Sequence, residues 1–434
     1  MKGNRNFSIL IFIYSTFAFV TLRKLLLQPG ALGHNWDWSI PCLKDQLTYM
    51  AQTSFFTWQE LIFGLFNPFG VNFAPFSFIW GSLGYLGVKG DVVSKFLPFV
   101  SIVIAGISMF YLLMEILKRG SNIINPKLVF YSALFGGLFY ALSPYLFNDI
   151  IGGANTQFFT YAFFPLALYF LRKLEYSNRF IHIFLLALVL TIIGFSFQRL
   201  FLVSIVLFIF PIFNKKPSQV YKNLLKSYLL FACLNFYWIS FILLEGGAKI
   251  GFTLGKQSLL LSTIKNNVPN ISDAFVGLGY FRDFFKYSIN PGLQPLWYIS
   301  SYGLLIIAVY SLFLLKKVRK NEVYFWTLLF LISIIFATGG KAPFGHFVLW
   351  TYRVIPLMAL FRSPQHLLVV PAFALSIILG LGFFAFVSKI NKEKSQLSFP
   401  ILSVLFIFFD GPYYSLCISI AFRVIVAGEY LFYL

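Results

Sequence analysis

Long apolar runs dominate this chain, and the polar interruptions between them fall into two size classes. A helix that crosses a bilayer needs about 20 mostly apolar residues. Runs of that kind lie near 7–27, 92–117, 128–148, 156–171, 181–196, 200–213, 227–245, 297–315, 323–338, 367–388 and 398–416. A weaker run at 417–434 holds Arg423 and Glu429. The pattern predicts an all-α polytopic helical membrane protein with about eleven to twelve transmembrane helices, in a single transmembrane domain over 1–434. Most connections are short and basic, whereas three are long: 28–91, 246–296 and 339–366. Within the first, Phe73 to Val88 is opened by Pro75, closed by Lys89-Gly90-Asp91 and too short to span. It predicts a helix lying on the membrane surface. Phe344 to Leu360, in the third long loop, predicts a second interfacial helix.

Composition agrees with the pattern. The chain is 59% hydrophobic and 21% aromatic, only 11% of its residues are charged, and its mean hydropathy is +0.80. A soluble domain of 434 residues does not bury that much apolar side chain. The formal net charge of +20 would point to nucleic acid in a soluble protein. Here topology accounts for it. With the N-terminus in the cytosol, the cytosolic side holds Lys2, Arg5, Lys118, Arg119, Lys127, Arg172, Lys173, Arg179, Lys215, Lys216, Lys222 and Lys226. It also holds Lys316, Lys317, Arg319, Lys320, Lys389, Lys392 and Lys394, against the acids Glu115, Glu175, Glu322 and Glu393. That asymmetry is the positive-inside bias of a plasma-membrane protein, and it removes the case for nucleic acid. Phe7 to Leu27 follows Lys2 and Arg5 as a signal peptide would, but lacks a small-residue cleavage site and reads as a retained anchor. Cys42, Cys233 and Cys417 show neither metal spacing nor a disulfide framework.

The candidate chemistry lies on the opposite, extracytoplasmic side. Asp37 is flanked by Trp36 and Trp38 soon after the first apolar run. A carboxylate held near the membrane surface can act as general base on an acceptor hydroxyl, and indole faces suit sugar rings. The bland alternative is a solvated acid between two interfacial anchors. Asp149 lies in the tight turn that runs from Ser143-Pro144-Tyr145 to Gln157, and is either a second catalytic carboxylate or a helix-end residue. Arg353, Arg362, His366 and His346, with Lys341 nearby, are candidate partners for a phosphate, or else headgroup contacts. Arg199 interrupts a long apolar stretch at what reads as the outer turn of a helical hairpin, where it binds substrate or merely turns the chain. An arginine at the centre of a membrane helix costs about 3 kcal/mol on insertion scales, so its position needs a reason. No P-loop, G-x-S-x-G, H-E-x-x-H or zinc spacing occurs.

Four stretches carry a family resemblance. They are Gly33 to Pro41; Pro75-Phe76-Ser77 through Gly87 into Val92 to Leu117; Ser143-Pro144-Tyr145 to Pro165; and Phe361-Arg362-Ser363-Pro364 to Gly382. In these, over roughly residues 1–390, the chain resembles the GT-C superfamily of integral-membrane glycosyltransferases. The nearest likeness is to YfhO-like and arabinofuranosyltransferase-like membrane proteins. The resemblance implies a GT-C-like fold whose large first outer loop contains surface helices. It maps the early-loop acid onto Asp37 and a second outer-loop acid onto Asp149. It implies transfer of a sugar from a polyprenyl-phosphate-linked donor to a hydroxyl on a glycan, lipid or protein acceptor. The run Asn35-Trp36-Asp37-Trp38 lacks the paired acids of metal-using members. No cofactor is therefore expected, and a divalent cation shared by Asp37 and Asp149 is the alternative. Two other functions compete: a transporter or flippase for a lipid-linked glycan, and a membrane assembly protein without catalysis. An enzyme brings Asp37, Asp149 and Arg362 together; a scaffold has no need to.

Overall fold

The computed structural model describes residues 2–30, 40–56, 58–59, 65–66, 68–118, 125–213, 217–244, 264–265, 268–279, 292, 294–315, 320–355, 358, 361 and 363–393. Trp36, Asp37, Trp38 and Arg362, and the apolar runs at 398–416 and 417–434, lie outside the described residues.

The fold is that of an all-α membrane protein. Helix α1 (Lys2–Leu27) is followed by α2 (Lys44–Thr53), a two-residue antiparallel pairing of β1 (Trp58–Gln59) with β2 (Leu65–Phe66), a 3-10 turn over Pro68–Phe73, and α3 (Ala74–Ser82). Then come α4 (Gly90–Lys118), α5 (Pro126–Ala141), α6 (Pro144–Ile151), α7 (Asn155–Leu174), α8 (Phe180–Ile193) and α9 (Phe197–Ile209). The chain continues through α10 (Pro217–Leu234), α11 (Phe236–Leu244), α12 (Ile271–Phe275), α13 (Gln294–Leu315), α14 (Lys320–Ala337) and α15 (Gly345–Val354). A 3-10 turn over Pro364–Leu368 leads into α16 (Val369–Glu393).

Among the described residues, four helical stretches are long and apolar enough to cross a membrane: Phe7–Leu27, Gly90–Lys118, Pro126–Ile151 and Pro364–Lys389. Of the eleven or twelve spans expected from hydropathy, those at 398–416 and 417–434 lie outside the described residues, and several others are built as shorter helices. Phe180–Ile193, at 14 residues, rises about 21 Å, short of the roughly 30 Å of hydrocarbon. A break at Asn235 divides the run that hydropathy reads as continuous over 227–245. The span expected at 128–148 is kept within Pro126–Ile151 but is built of two helices, since Ser143 caps a new helix by accepting from the Leu146 N–H and Pro144 fills its first position. Phe73 to Val88 forms only the nine-residue α3 and a following turn. It lies against α2 with Gly81 at the crossing, where a Cβ would come within 2.7 Å of the Ala51 nitrogen. Phe78 and Ile79 stay exposed while Phe76 and Trp80 are buried, so α3 has an apolar outer face as well as a packed inner one. Helix α15 divides likewise, burying Val348 and Tyr352 and exposing Phe347, Trp350 and Val354.

Helix α16 is the central post. Of the apolar window within Pro364–Lys389, 94% is buried, against 28% for Phe7–Leu27 at the periphery. Helices α5, α13 and α14 pack along α16, and α4 packs between α5 and α7. Ser108 on α4 donates to the Ala162 carbonyl of α7 at 2.7 Å. Tyr14 of α1 lies in a recess whose floor is Gly106 and Gly137, where a Cβ would collide with its ring or hydroxyl.

The bundle has two unlike ends. At the first, the tips of α4, α7, α9, α10 and α14 meet. Lys173 pairs with Glu115 at 2.5 Å, Arg172 pairs with Glu322 at 2.5 Å, and Asn321 donates to the Phe213 carbonyl at 3.2 Å. The basic residues Lys118, Lys127, Arg179, Lys222 and Lys226 belong to this end, where the sequence connections are short. At the second end the long loops gather. Asn72 donates to the Gly194 and Phe195 carbonyls at 3.0 and 3.3 Å, and the Gly340 N–H donates to the Ile264 carbonyl at 3.0 Å. Lys341 Nζ donates to the Val268 carbonyl at 2.6 Å. The Cys42 carbonyl accepts from the Gly90 N–H at 3.0 Å, and the Gln28 carbonyl accepts from Lys95 Nζ. Both flanks of the segment that bears Asp37 are thus tied to the first turns of α4.

Candidate functional site

At the loop-rich end, two of the residues singled out by sequence meet inside the protein. Arg199, in the first turn of α9, and Asp149, in the last turn of α6, form an ion pair with Nη2 to Oδ2 at 2.8 Å. Their side chains are 1% and 0% exposed, so the pair is shielded from bulk solvent. Arg199 Nη2 also donates to the Tyr145 hydroxyl and, at 3.3 Å, to Gln157 Oε1. Arg199 Nη1 donates to the His366 carbonyl at 2.9 Å. The guanidinium carbon stands 5.2 Å from the centroid of the Tyr145 ring. One guanidinium therefore joins α6, the start of α7, the start of α9 and the turn before α16.

The reason is electrostatic. Taking an arginine and a carboxylate out of water costs several kcal/mol for each ion, even after relaxation. Only a close pair with further hydrogen bonds offsets that, and the planar fork of arginine can serve two directions at once where lysine cannot. Hydropathy raises the question of why Arg199 sits in an apolar run; α6 supplies the answer.

A second device supports α6 from below. The Tyr140 carbonyl keeps a long bond from the Ser143 N–H at 3.4 Å, but Pro144, with no N–H, takes away its usual helical donor four residues on. Pro165 does the same to the Tyr161 carbonyl within α7. The two tyrosines repair each other: Tyr140 OH donates to the Tyr161 carbonyl at 2.8 Å, and Tyr161 OH donates to the Tyr140 carbonyl at 3.0 Å. Their rings stack with centroids 4.2 Å apart and planes 9° from parallel. Ser143 Oγ lies 3.0 Å from the Tyr161 hydroxyl and also caps α6. The position of Asp149 is therefore set by a chain of buried contacts through Ser143, Tyr140 and Tyr161.

The other candidates are distributed as follows. His366 is joined to the Arg199 centre through its backbone, and its side chain is half-buried. His346 and Arg353 lie on α15 and are exposed, two turns apart on one helix. Asp149 is an internal partner of Arg199 and has no exposed surface, so its carboxylate faces protein and not an acceptor. Trp36, Asp37, Trp38 and Arg362 lie outside the described residues, so their distances to this centre do not enter the geometry. Among the described residues no three His, Cys, Asp or Glu side chains gather as a metal would require. Sequence reading passed over Tyr140, Tyr145, Gln157 and Tyr161 as participants. The signal was present for two of them, as a tyrosine four residues before each of Pro144 and Pro165.

The short-turn end carries a separate polar cluster. Glu322 accepts from Arg172 at 2.5 Å and from the Trp326 indole at 3.0 Å, while Arg172 lies 5.2 Å from the Phe210 ring centroid. It ties α7 to α14 and to the 3-10 turn Phe210–Phe213 that follows α9, and stands at the end away from the long loops. No family model matches the chain, and no curated protein matches it either. Its function must therefore be argued from the arrangement itself.

Proposed function

We propose that the chain is a membrane glycosyltransferase of GT-C-like layout that moves a sugar from a polyprenyl-phosphate donor to an acceptor hydroxyl. The reaction takes place at the loop-rich end, which is the extracytoplasmic face of the plasma membrane. The observation that carries the reading is the gathering at that end. Both flanks of the Asp37 segment, the Arg199–Asp149 centre, the turn that bears His366 and the interfacial helix with His346 and Arg353 belong to the same end of the bundle. A lipid-linked donor needs such an end, where apolar helix surface meets polar loops at headgroup depth.

In this reading Asp37 is the general base on the acceptor hydroxyl, and Trp36 and Trp38 pack on sugar faces. Arg362, with Arg353, His346 or His366, stabilises the departing phosphate, an interaction that strengthens as negative charge develops there. Asp149 does not exchange the proton; it holds Arg199. Attack by the activated hydroxyl from the side opposite the phosphate inverts the anomeric carbon. No cofactor takes part. The partners are the lipid-linked donor, a glycan, lipid or protein acceptor, and the bilayer itself.

The test is to purify the protein in nanodiscs, identify the co-purified lipid by mass spectrometry, and follow transfer from that donor. Asp37→Asn is expected to lower the rate by about 10²–10⁴-fold with the fold intact. An Asp37→Asn protein that transfers sugar at the wild-type rate would remove the base and the mechanism with it.

A further inference from the structure

Phe361 and the residues from Ser363 to Leu368 are anchored by other elements. Phe361 is buried, its ring is 5.7 Å from Phe201, and its carbonyl accepts from the Tyr352 hydroxyl at 2.7 Å. Further on, the His366 carbonyl accepts from Arg199 Nη1 at 2.9 Å, and the His366 N–H donates to the Ser363 carbonyl at 3.1 Å. Pro364, Gln365, Leu367 and Leu368 are buried. His366 is the one residue of the 364–368 turn that keeps partial exposure. His366 is thus the one side chain of the turn with any exposure, its Nδ1 being enclosed, and the group that fixes its backbone is the fully buried Arg199. Arg199 is in turn oriented by Asp149, Tyr145 and Gln157.

We propose that Arg199 is a positioning residue: by fixing the His366 carbonyl it aims the His366 side chain at the phosphate of a polyprenyl-phosphate lipid. The inference rests on the transfer function proposed above and deepens it. Arg199 does not touch the lipid, since it has no exposed surface for a headgroup to reach. Its charge is spent on Asp149, and its second arm on the turn. Two arms are needed, which is why an arginine serves at this position: a lysine has one compact head and cannot hold a carboxylate and a carbonyl on different elements together.

The experiment uses the whole chain in nanodiscs and undecaprenyl phosphate as the probe, so that the unknown sugar does not matter. Affinity is measured for wild type, Arg199→Lys, His366→Ala and the double variant, and amide hydrogen exchange is followed over 365–368. Arg199→Lys and His366→Ala are each expected to weaken binding about ten-fold, and the double variant to bind no more than about two-fold more weakly than His366→Ala alone. Exchange at 365–368 rises in Arg199→Lys and stays at the wild-type rate in His366→Ala. Should Arg199→Lys fail to fold, Tyr145→Phe takes its place, with a smaller loss of about three-fold and the same non-additivity. Losses that multiply to about a hundred-fold in the double variant, or an Arg199→Lys protein that binds as wild type does, overturn the positioning role alone. A wild-type protein that does not bind undecaprenyl phosphate overturns the transfer function and this role together. Exchange at 365–368 then reports only whether Arg199 anchors the turn.

Discussion

Tyr140 and Tyr161 each donate a hydrogen bond to the backbone carbonyl that a proline has deprived of its partner in the other's helix, at 2.8 and 3.0 Å. The exchange is reciprocal and buried; the Tyr140 carbonyl also accepts from the Ser143 N–H at 3.4 Å, so it is the Tyr161 carbonyl, four residues before Pro165, that leans on it most. A buried carbonyl left unpaired costs about 1–3 kcal/mol. Tyr140→Phe is therefore expected to lower stability by about that amount, read as a shift in unfolding in mixed micelles. Pro165→Ala restores an N–H four residues after Tyr161. The penalty of Tyr140→Phe should then shrink in the Pro165→Ala background, and an equal penalty in both backgrounds would count against the repair.

Asp149 and Arg199 make the second prediction. Asp149→Asn keeps the shape of the side chain and strands a buried cation, so a loss of about 3–5 kcal/mol is expected. Replacing both with apolar groups, as Asp149→Leu with Arg199→Met, removes the desolvation cost along with the attraction. The double variant should be more stable than Asp149→Asn. Unfolding curves of the three proteins decide it.

The short-turn end offers a contrast between two ion pairs of equal length. Arg172 and Glu322 are 5% and 20% exposed, whereas Lys173 and Glu115 are 31% and 12% exposed. Glu322→Ala strands a buried guanidinium and the Trp326 indole, for a loss of about 3 kcal/mol. Lys173→Ala removes a partly solvated pair and should cost about 1 kcal/mol or less. Equal losses in the two variants would show that burial does not separate them.

Orientation in the membrane is open to labelling. Lys89 and Ser218 are both exposed and belong to opposite ends of the bundle. With the native cysteines replaced by alanine, Lys89→Cys should react with a membrane-impermeant maleimide on intact cells. Ser218→Cys should react only after permeabilisation. The reverse pattern would put the basic connections outside and move the proposed site to the cytosol.

Hydropathy by itself located most of the long helices among the described residues, because burial in lipid or in a bundle needs an apolar run whichever neighbour covers it. Gly90–Lys118 and Asn155–Leu174 lie within a few residues of the runs at 92–117 and 156–171. Charge placed the basic connections on one side, and the contacts of Glu115, Lys173, Arg172 and Glu322 put the corresponding helix tips at one end. The shape of the span at 128–148 was less legible, since Ser143 and Pro144 look like a loop until the cap and the stacked tyrosines are seen. Sequence flagged Asp149 and Arg199 separately, as an outer-turn acid and an unexplained cation, but nothing in their spacing joined them. They are 50 residues apart, on different helices. Their pairing comes from packing, which brings the end of α6 against the start of α9 and leaves each charge the other as its compensation. The one-dimensional pattern of polarity decided which segments leave water. Only the tertiary structure decided which buried charges meet, because a charge removed from water is tolerated only where another element delivers its partner.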